Sequence, residues 1–481
     1  FTIDRLRETS SSAAQYETFF QYSGRITDLL GDAEAGLGAG LESFFNAVQS
    51  VADDPAAIPA RQVLVSESES LVARVQNLDS QVNAMHREVN SNLGAIVNEV
   101  NGLSQAIADT NRSIVDARSQ GSGAVPNDLL DKRDGMINRL SELISVRTVE
   151  QDDGAVNVFV GSGQALVTRF LDSPLEVQAN EFDANRAEIA IVSGGVSAVV
   201  TNSLGGGQLG AVLDFRDQVL NPAQNALGRI AVSLATTFNA QHAAGMDLDG
   251  AAGGNYFSVG SPDVSDSVNN AGTATVTAVF DTASIDNLTT DDYTLAFDGA
   301  VWSATRVSDG QPVAMTGTGT PADPFLFDGL SVEVTAGAAA GDRFQINPTR
   351  NGAAGMNLLV TNPREIAAAA PAAGPAPGDN SNALLLAGLQ STQTMENGTT
   401  SFQGAYSQLI GKLGVQTRSA EIAANAQGAL RDQAQESRDN LSGVNLDEEA
   451  ANLIRYQQAY QAIAQVITAA ETTFQTLLSA V

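Results

Sequence analysis

GVNLDEEAANLIRYQQAYQAIAQVITAAETTFQTLLSAV, residues 443–481, closes the sequence and decides how the rest of it is read. Leu446, Leu453, Tyr460, Ile467, Phe474 and Val481 recur every seven residues, and Tyr456, Ile463, Ala470 and Leu477 each follow a member of that row by three. This is the a/d pattern of a coiled-coil seam, held for about five heptads. Asn445 reads as the N-cap and Glu448 as its capping-box partner, while Asp447, Glu448 and Glu449 set negative charge at the positive end of the helix dipole. A helix from Leu446 to Val481 spans about 54 Å at about 1.5 Å per residue. No globular stretch follows it in this sequence, so its apolar face needs a partner from elsewhere in the chain or from another chain. An amphipathic helix docked on its own domain fits the same periodicity.

Composition bounds the rest. A chain of 481 residues exceeds one typical core, so two to four domains are expected. The 25 Lys and Arg against 55 Asp and Glu leave a formal charge of −30, and only Lys132 and Lys412 are lysines. Nucleic acid and anionic membrane are bound through basic surface, so neither is an expected partner. There are no cysteines, hence no disulfide framework and no thiolate chemistry. No Sec-type leader is visible at Phe1, and no apolar run approaches the length of a membrane-spanning helix. The sequence does not begin with Met and is read as a fragment or processed form.

Outward from the tail, helical and strand-like periods alternate. Tyr16, Phe19, Phe20, Ile26, Leu29 and Leu30 mark a first helix; residues 31–40 read as a Gly-rich joint; Leu41, Phe44, Phe45, Val48 and Val51 resume the helix until Asp53-Asp54-Pro55. From Leu71 to Ile114 apolar residues keep 3–4 spacing, with one 4–4 step at Met85–Val89–Leu93. Residues 119–125 read as a loop and 129–143 as another helix. Residues 149–160 predict a hairpin about Asp152-Asp153-Gly154, and 189–200 a second about Gly194-Gly195. Residues 209–238 return to helical spacing, with Pro222 placed in the first turn of a new helix capped by Asn221. Residues 273–346 are strand-like, punctuated by Asp298-Gly299, Asp309-Gly310 and Asp328-Gly329, and predict a compact antiparallel β domain. Residues 371–382 read as a surface loop, and 384–441 as helical, with Phe402, Tyr406, Leu409, Ile410, Leu413, Val415, Ile422 and Leu430 expected in the core.

The order predicts an α+β multidomain fold: an elongated helical bundle built from both chain ends, with inserted antiparallel β domains and a C-terminal coiled-coil helix. The boundaries are 1–147 for the first helical part, 148–204 for a small β hairpin subdomain, 205–248 for the middle helical part, 249–350 for the inserted β domain, 351–440 for the last helical part and 441–481 for the terminal helix.

Gly205-Gly206-Gly207-Gln208-Leu209-Gly210 matches GxGxxG, yet no parallel strand follows promptly and no acidic residue lies near twenty positions on, so a strand-to-helix turn is expected. Asp247, Asp249 and Asn255 lie in a Gly-rich loop that lacks the EF-hand pattern. His86 and His242 have no ligand-spaced neighbours for zinc, and no GxSxG elbow occurs. Asp131-Lys132-Arg133-Asp134 reads as a solvated helix face with local ion pairs. No catalytic, cofactor or metal residue is assigned, and no enzymatic activity is expected.

The segment SGVNLDEEAANLIRYQQAYQAIAQVI resembles the C-terminal signature of bacterial flagellar axial proteins, and GVNLDEEAANL with RYQQAYQA resembles the FlgK family of hook-associated proteins in particular. FFNAVQSVADDPAAIPARQVLVSESESLVARVQNL, NDLLDKRDGMINRLSELISVRTVEQDDGAVNVFVGSGQALV and LGAVLDFRDQVLNPAQNALGRIAVSLATTFNAQHAAGMDLDG resemble it in the expected order, and residues 291–350 are similar to its β domain. The resemblance implies a structural subunit of the hook–filament junction, exported without a cleaved signal peptide and placed outside the cell on the flagellum. The partners it implies are other copies in a ring, the hook protein, the next hook-associated junction protein and a cytoplasmic export chaperone. It assigns assembly contacts to Asn445, Leu446, Leu453, Tyr456, Tyr460, Ile463, Ile467, Phe474, Leu477 and Val481. The family's N-terminal helix and its Asn-rich NTPGYSR-like segment, expected to pair with the tail, precede Phe1 in the family pattern. Two other readings stay open at this point: a hook or rod axial protein, which shares the tail signature, and a secreted adhesin or enzyme that binds through the β domain at 273–346.

Overall fold

The computed structural model describes residues 2–119, 126–442 and 446–479. Four helices come first: α1 (Thr2–Gly31), α2 (Leu37–Asp53), α3 (Ile58–Ser119) and α4 (Asn127–Leu143). The 3–4 spacing from Leu71 to Ile114 places all but one of those apolar side chains fully inside α3's buried face, with Leu103 packed at its margin. The joint before α2 is shorter than the glycine content implies, because Gly38 and Gly40 lie within α2. Tyr16, expected on the apolar face of α1, is exposed.

Seven strands follow where the sequence marks two hairpins. β1 (Val146–Glu150), β2 (Val156–Val160), β3 (Gln164–Thr168) and β4 (Leu171–Asp172) form one antiparallel sheet; β5 (Leu175–Ala179), β6 (Ala187–Ser193) and β7 (Val196–Val199) form another. The two expected hairpins are present. Of the additional strands, QALVT lacks alternation and LEVQA alternates over only five residues, so their signal is weak.

α5 (Gly207–Phe215) runs through one π-turn, Arg216–Leu220, into α6 (Asn221–Ala243). Asn221 is therefore not a cap: it holds helical angles and donates its N–H to Arg216 O. Pro222 has no N–H and would crowd the carbonyl four residues back, and the wider turn accommodates it within a continuous helix. The carbonyl concerned, Gln218 O, instead accepts Gln416 Nε2 at 3.3 Å.

The β-rich unit begins after a two-residue strand, β8 (Phe257–Ser258). It contains β9 (Asp263–Asp266), β10 (Val276–Phe280), β11 (Tyr293–Phe297), β12 (Trp302–Arg306), β13 (Pro312–Val313), β14 (Phe325–Phe327), β15 (Leu330–Val334) and β16 (Arg343–Asn347). Two antiparallel sheets, β13-β12-β11-β16-β9 and β10-β15-β14, enclose a core of Tyr293, Leu295, Phe325, Leu330, Val332, Phe344 and Ile346. Asp328-Gly329 turns with both residues at positive φ, as an Asp-Gly hairpin requires. The chain returns through β17 (Asn357–Leu358), which pairs with β8, and the unit is tied to the rest of the chain also by Arg343 with Glu181, Arg350 with Asp183 and Asn225 with Asp292.

α7 (Ser381–Gly388), α8 (Phe402–Ser442) and α9 (Leu446–Ser479) complete the chain. The helical stretch expected from 384 is thus interrupted between Gly388 and Phe402. α8 lies along α1, joined by Thr27 Oγ1 and Thr417 Oγ1 at 2.8 Å and by Tyr406, whose hydroxyl donates to Leu30 O. Phe44, Phe45, Phe238, Phe257 and Phe402 interlock at the base of this body. Buried Arg61 donates to Pro55 O at 2.7 Å and to Ile366 O at 2.6 Å, fixing the α2–α3 turn to the returning chain.

Candidate assembly surface

The terminal helix is built as its sequence predicts. α9 runs unbroken from Leu446 to Ser479, and Thr468, Thr472, Thr473 and Thr476 return their hydroxyls to carbonyls four residues back, so these polar groups are satisfied within the helix. Leu453, Tyr456, Tyr460, Ile463, Ile467, Phe474 and Leu477 line its seam, and all seven are between 59% and 77% exposed. Asn445 and Val481 lie outside the described residues, as does the side chain of Leu446, and with them the expected capping box. Ile454, Val466 and Leu478 are exposed too, which widens the apolar face beyond a two-helix seam. Burying a large apolar side chain contributes about 1.5–3 kcal/mol, so the seven seam residues leave on the order of 10 kcal/mol of burial unused.

A second exposed face lies on α8, where the sequence reading places core. Phe402, Tyr406, Leu409 and Leu413 are buried and Ile410 packs beside them, but Val415 is 68% exposed, Ile422 58% and Leu430 40%. The 3–4 seam that α8 presents to α1 continues past Leu413 through Ala420 and Ala434, and Val415 and Ile422 fall on another side of the helix. Their own seven-residue interval is the sequence signal that separates them from the core row.

The remaining motifs resolve into packing. Gly206 and Gly207 hold positive φ, and a Cβ on Gly207 would stand 2.4 Å from the Leu143 carbonyl carbon, so this glycine run is a turn pressed against the end of α4. Asp247 Oδ1 accepts the N–H groups of Asp249 and Ala251, and Asp249 pairs with Arg364, closing that loop on itself. His242 is buried; its Nδ1 faces Gly254 O at 2.8 Å and its Nε2 accepts Ala367 N–H at 3.0 Å. The Asp131–Asp134 face corrects its expectation. Arg133 is buried and donates to Gly154 O at 2.7 Å, while Asp134 accepts from Arg7 of α1 at 3.1 Å. These are long-range ties that helix-local reading does not see.

His86 borders a polar cleft of about 470 Å³ between α3, α6 and the β-rich unit, lined also by Arg186, Arg216, Gln224, Asp263 and Arg350. Its Nε2 is buried and finds no partner among the described residues. Burial and the nearby Arg350 push the imidazole down to about 4. Beside the cleft, burial raises Asp292 to about 6, partly offset by Arg350 and by the Asn225 amide at 3.1 Å. The arginines are already held by carboxylates: Arg350 by Asp183, Arg186 by Glu188 and Asp217, and Arg216 by Asp217. The cleft is thus a neutralised ionic joint. Among the described residues no group of three or more His, Asp or Glu could hold a metal ion, and no helix is long and apolar enough to cross a membrane.

Comparison with known proteins places this architecture. Residues 23–257 match the helical domain of flagellar hook-associated protein FlgK, residues 264–348 match the D2-like domain of flagellar hook-associated protein 1, and residues 436–480 match the C-terminal model of the flagellar basal body rod FlgEFG proteins. Flagellar hook-associated protein 1 of Salmonella typhimurium is 34% identical over 491 aligned positions, spanning all of this chain and 87% of the relative. That of Escherichia coli K12 is 32% identical, again over all of this chain and 87% of its own length. The solved structure of the flagellar hook junction protein FlgK from Burkholderia pseudomallei superposes with a TM-score of 0.83 at 26% identity, covering 91% of this chain and 99% of that one.

Proposed function

The chain belongs to the FlgK family, flagellar hook-associated protein 1, and from that premise we propose how it joins its neighbours. Its role is that of a structural subunit of the flagellar hook–filament junction. The contacts run through α9. Leu453, Tyr456, Tyr460, Ile463, Ile467, Phe474 and Leu477, with Asn445, Leu446 and Val481 at the ends, pack against terminal helices of neighbouring subunits. The subunit leaves the cell through the flagellar export route, held beforehand by a cytoplasmic chaperone. It then forms a ring outside the cell between the hook protein and the next hook-associated protein.

One observation carries this reading: a 34-residue helix whose described a/d side chains, from Leu453 to Leu477, are all exposed. A soluble chain of charge −30 keeps so large an apolar face when something else covers it in use. The resemblance of residues 436–480 to rod proteins agrees, because the tail is the part that axial proteins with different bodies share.

The test is removal of residues 441–481. The shortened chain is expected to fold, with the thermal transition of the intact protein, and to be missing from flagella purified from cells that express it in place of the full-length form. Normal filaments on those cells would refute the proposal.

A further inference from the structure

Between α7 and α8 the chain makes a tight turn that carries an Asn-Gly step. Met395 and Thr400 close it as an antiparallel bridge, and Met395 O accepts the N–H groups of Thr399 and Thr400 at 3.0 and 3.2 Å. Glu396, Asn397 and Gly398 hold positive φ, at 54°, 58° and 72°. Glycine adopts that region freely and asparagine better than most residues, which suits both to positions 397 and 398. The turn is anchored on two sides. Glu396 pairs with Arg229 of α6 at 2.8 Å, and Asn397 N–H donates at 2.8 Å to Asp286 O, in the single helical turn Ile285–Asn287 of the β-rich unit.

An Asn-Gly step carries its own chemistry. The glycine nitrogen can reach the side-chain carbonyl carbon of the asparagine by closing a five-membered ring, and glycine has no Cβ to obstruct the attack. Folding decides whether the step can use this, because the nitrogen must be unbonded and the side-chain amide free to turn. The sequence holds three such steps, Asn101-Gly102, Asn351-Gly352 and Asn397-Gly398. Asn101 lies within α3, and its amide is pinned twice: Nδ2 donates to Leu175 O and Oδ1 accepts Leu175 N–H, each at 2.8 Å. Gly352 is buried, its N–H donates to Thr349 O at 3.0 Å, and a Cβ there would stand 2.6 Å from Val232 Cγ2. The third step is held by neither device. Asn397 is exposed, and neither its side-chain amide nor Gly398 N–H makes a hydrogen bond among the described residues. A Cβ on Gly398 would find only Gln393 O within 4 Å, at 3.8 Å, so there is room for a ring to form. The N–H groups of Asn397, Thr399 and Thr400 are engaged, while Gly398 N, the nucleophile, is not.

We propose that Asn397-Gly398 is a site of spontaneous covalent modification in the folded protein. Gly398 N loses its proton to solvent base and bonds to Asn397 Cγ. The Cγ–Nδ2 bond breaks, and the side-chain nitrogen takes up a proton and leaves as ammonia. Water then opens the cyclic imide. Breaking the bond between Cγ and Gly398 N gives aspartate; breaking the bond between the main-chain carbonyl carbon and Gly398 N gives isoaspartate. Either product adds a negative charge beside Glu396, and isoaspartate also lengthens the main chain by one methylene within the turn that joins α6 to the β-rich unit. The contact with Asp286 O is thereby loosened. This chemistry belongs to the free chain and does not depend on assembly.

The full chain is held in warm, mildly alkaline buffer, folded or in denaturant, and conversion at the three steps is followed by peptide mass spectrometry, with enzymatic methylation marking isoaspartate. In the folded chain Asn397 is expected to convert at least about 10-fold faster than Asn101 and Asn351, the factor that one retained hydrogen bond corresponds to. In denaturant the three rates are expected to converge. Asn397→Gly keeps a residue that adopts positive φ and has no amide to lose, so it should show no conversion at that position. Comparable rates at the three steps of the folded chain, or an unchanged Asn397 where the denatured chain converts, would overturn the proposal. For the consequence, hydrogen exchange about Ile285–Asn287 is compared in fresh parent, aged parent and aged Asn397→Gly. Exchange about 10-fold faster in the aged parent alone is expected; the same exchange in all three would remove the loosening.

Discussion

His86 and Asp292 sit on either side of the ionic joint and respond to pH in opposite directions. The imidazole of His86 is held at about 4, below its ordinary 6.5, because burial and Arg350 penalise its charged form. Its contribution to stability is therefore complete above pH 6.5 and is lost as pH falls from 6.5 toward 4, by roughly 3 kcal/mol in all. Asp292 is raised to about 6 from 3.8 by burial, so the unfolded chain ionises first and stability falls as pH rises from about 4 to 6. Thermal melts across pH 4–8 are expected to show these slopes partly cancelling. His86→Gln should expose the Asp292 slope, so that stability climbs on acidification below pH 6, and Asp292→Asn should leave a steeper acid loss. A His86→Gln profile superimposable on that of the parent would contradict this account of the joint. Neither group was legible as a structural joint in the sequence, because the arginines and amides that set their environment lie from 58 to 264 positions away along the chain.

At the scale of elements, the continuous α5–α6 helix turns on one proline. Pro222 forces the π-turn, and Gln416 of α8 supplies the hydrogen bond that Gln218 O would otherwise lack. Gln416→Ala is expected to cost about 0.5–1.5 kcal/mol in denaturant unfolding. The same change made on Pro222→Ala should cost much less, since the restored N–H can satisfy Gln218 O. Equal costs in both backgrounds would show that the two are not coupled. Periodicity located nearly every helix here, and Asp-Gly pairs located the tight turns of the β-rich unit. It failed where a second constraint competed. Asn221 looked like a cap only because Pro222 follows it, and Val415, Ile422 and Leu430 looked like core because apolar character does not say which of two rows faces the body. The α9 helix itself was legible, since its seven-residue apolar rows run without Gly or Pro from Leu446 onward.

The whole molecule is a helical body carrying a β-rich unit whose chain leaves and returns beside the β8–β17 pair and which the ionic joint also holds. β8 and β17 pair side by side, and a Cβ on Gly228 of α6 would stand 1.8 Å from Thr349 O, so the outgoing and returning strands leave the body at one point. We therefore propose that residues 249–350 act as a separable appendage. Replacing residues 261–350 with a short Gly-Ser linker is expected to leave the helical body folded, with far-UV circular dichroism showing the helix content retained and a melting temperature a few degrees lower from loss of the Val232 and Asn225 contacts. Collapse of the helical signal would show instead that the two parts fold as one. The order of helix and strand periods announced this insertion. The β8–β17 pair was not announced, because the strands are two residues each and no pattern rises from so short a run.

The pairing of α1 with α8 has a further consequence. Thr27 meets Thr417 across 390 positions, and the Tyr406 hydroxyl reaches Leu30 O across 376. A contact of such sequence separation cannot form until nearly all of the intervening chain is available, and it carries the closure entropy of that long loop. A chain delivered from its N-terminus thus presents α1 first and must wait for α8 to seal the body. A chain cut short before Phe402 lacks α8, so the face of α1 that α8 covers stays open, whereas a chain that reaches the end of α8 can close the body even without α9.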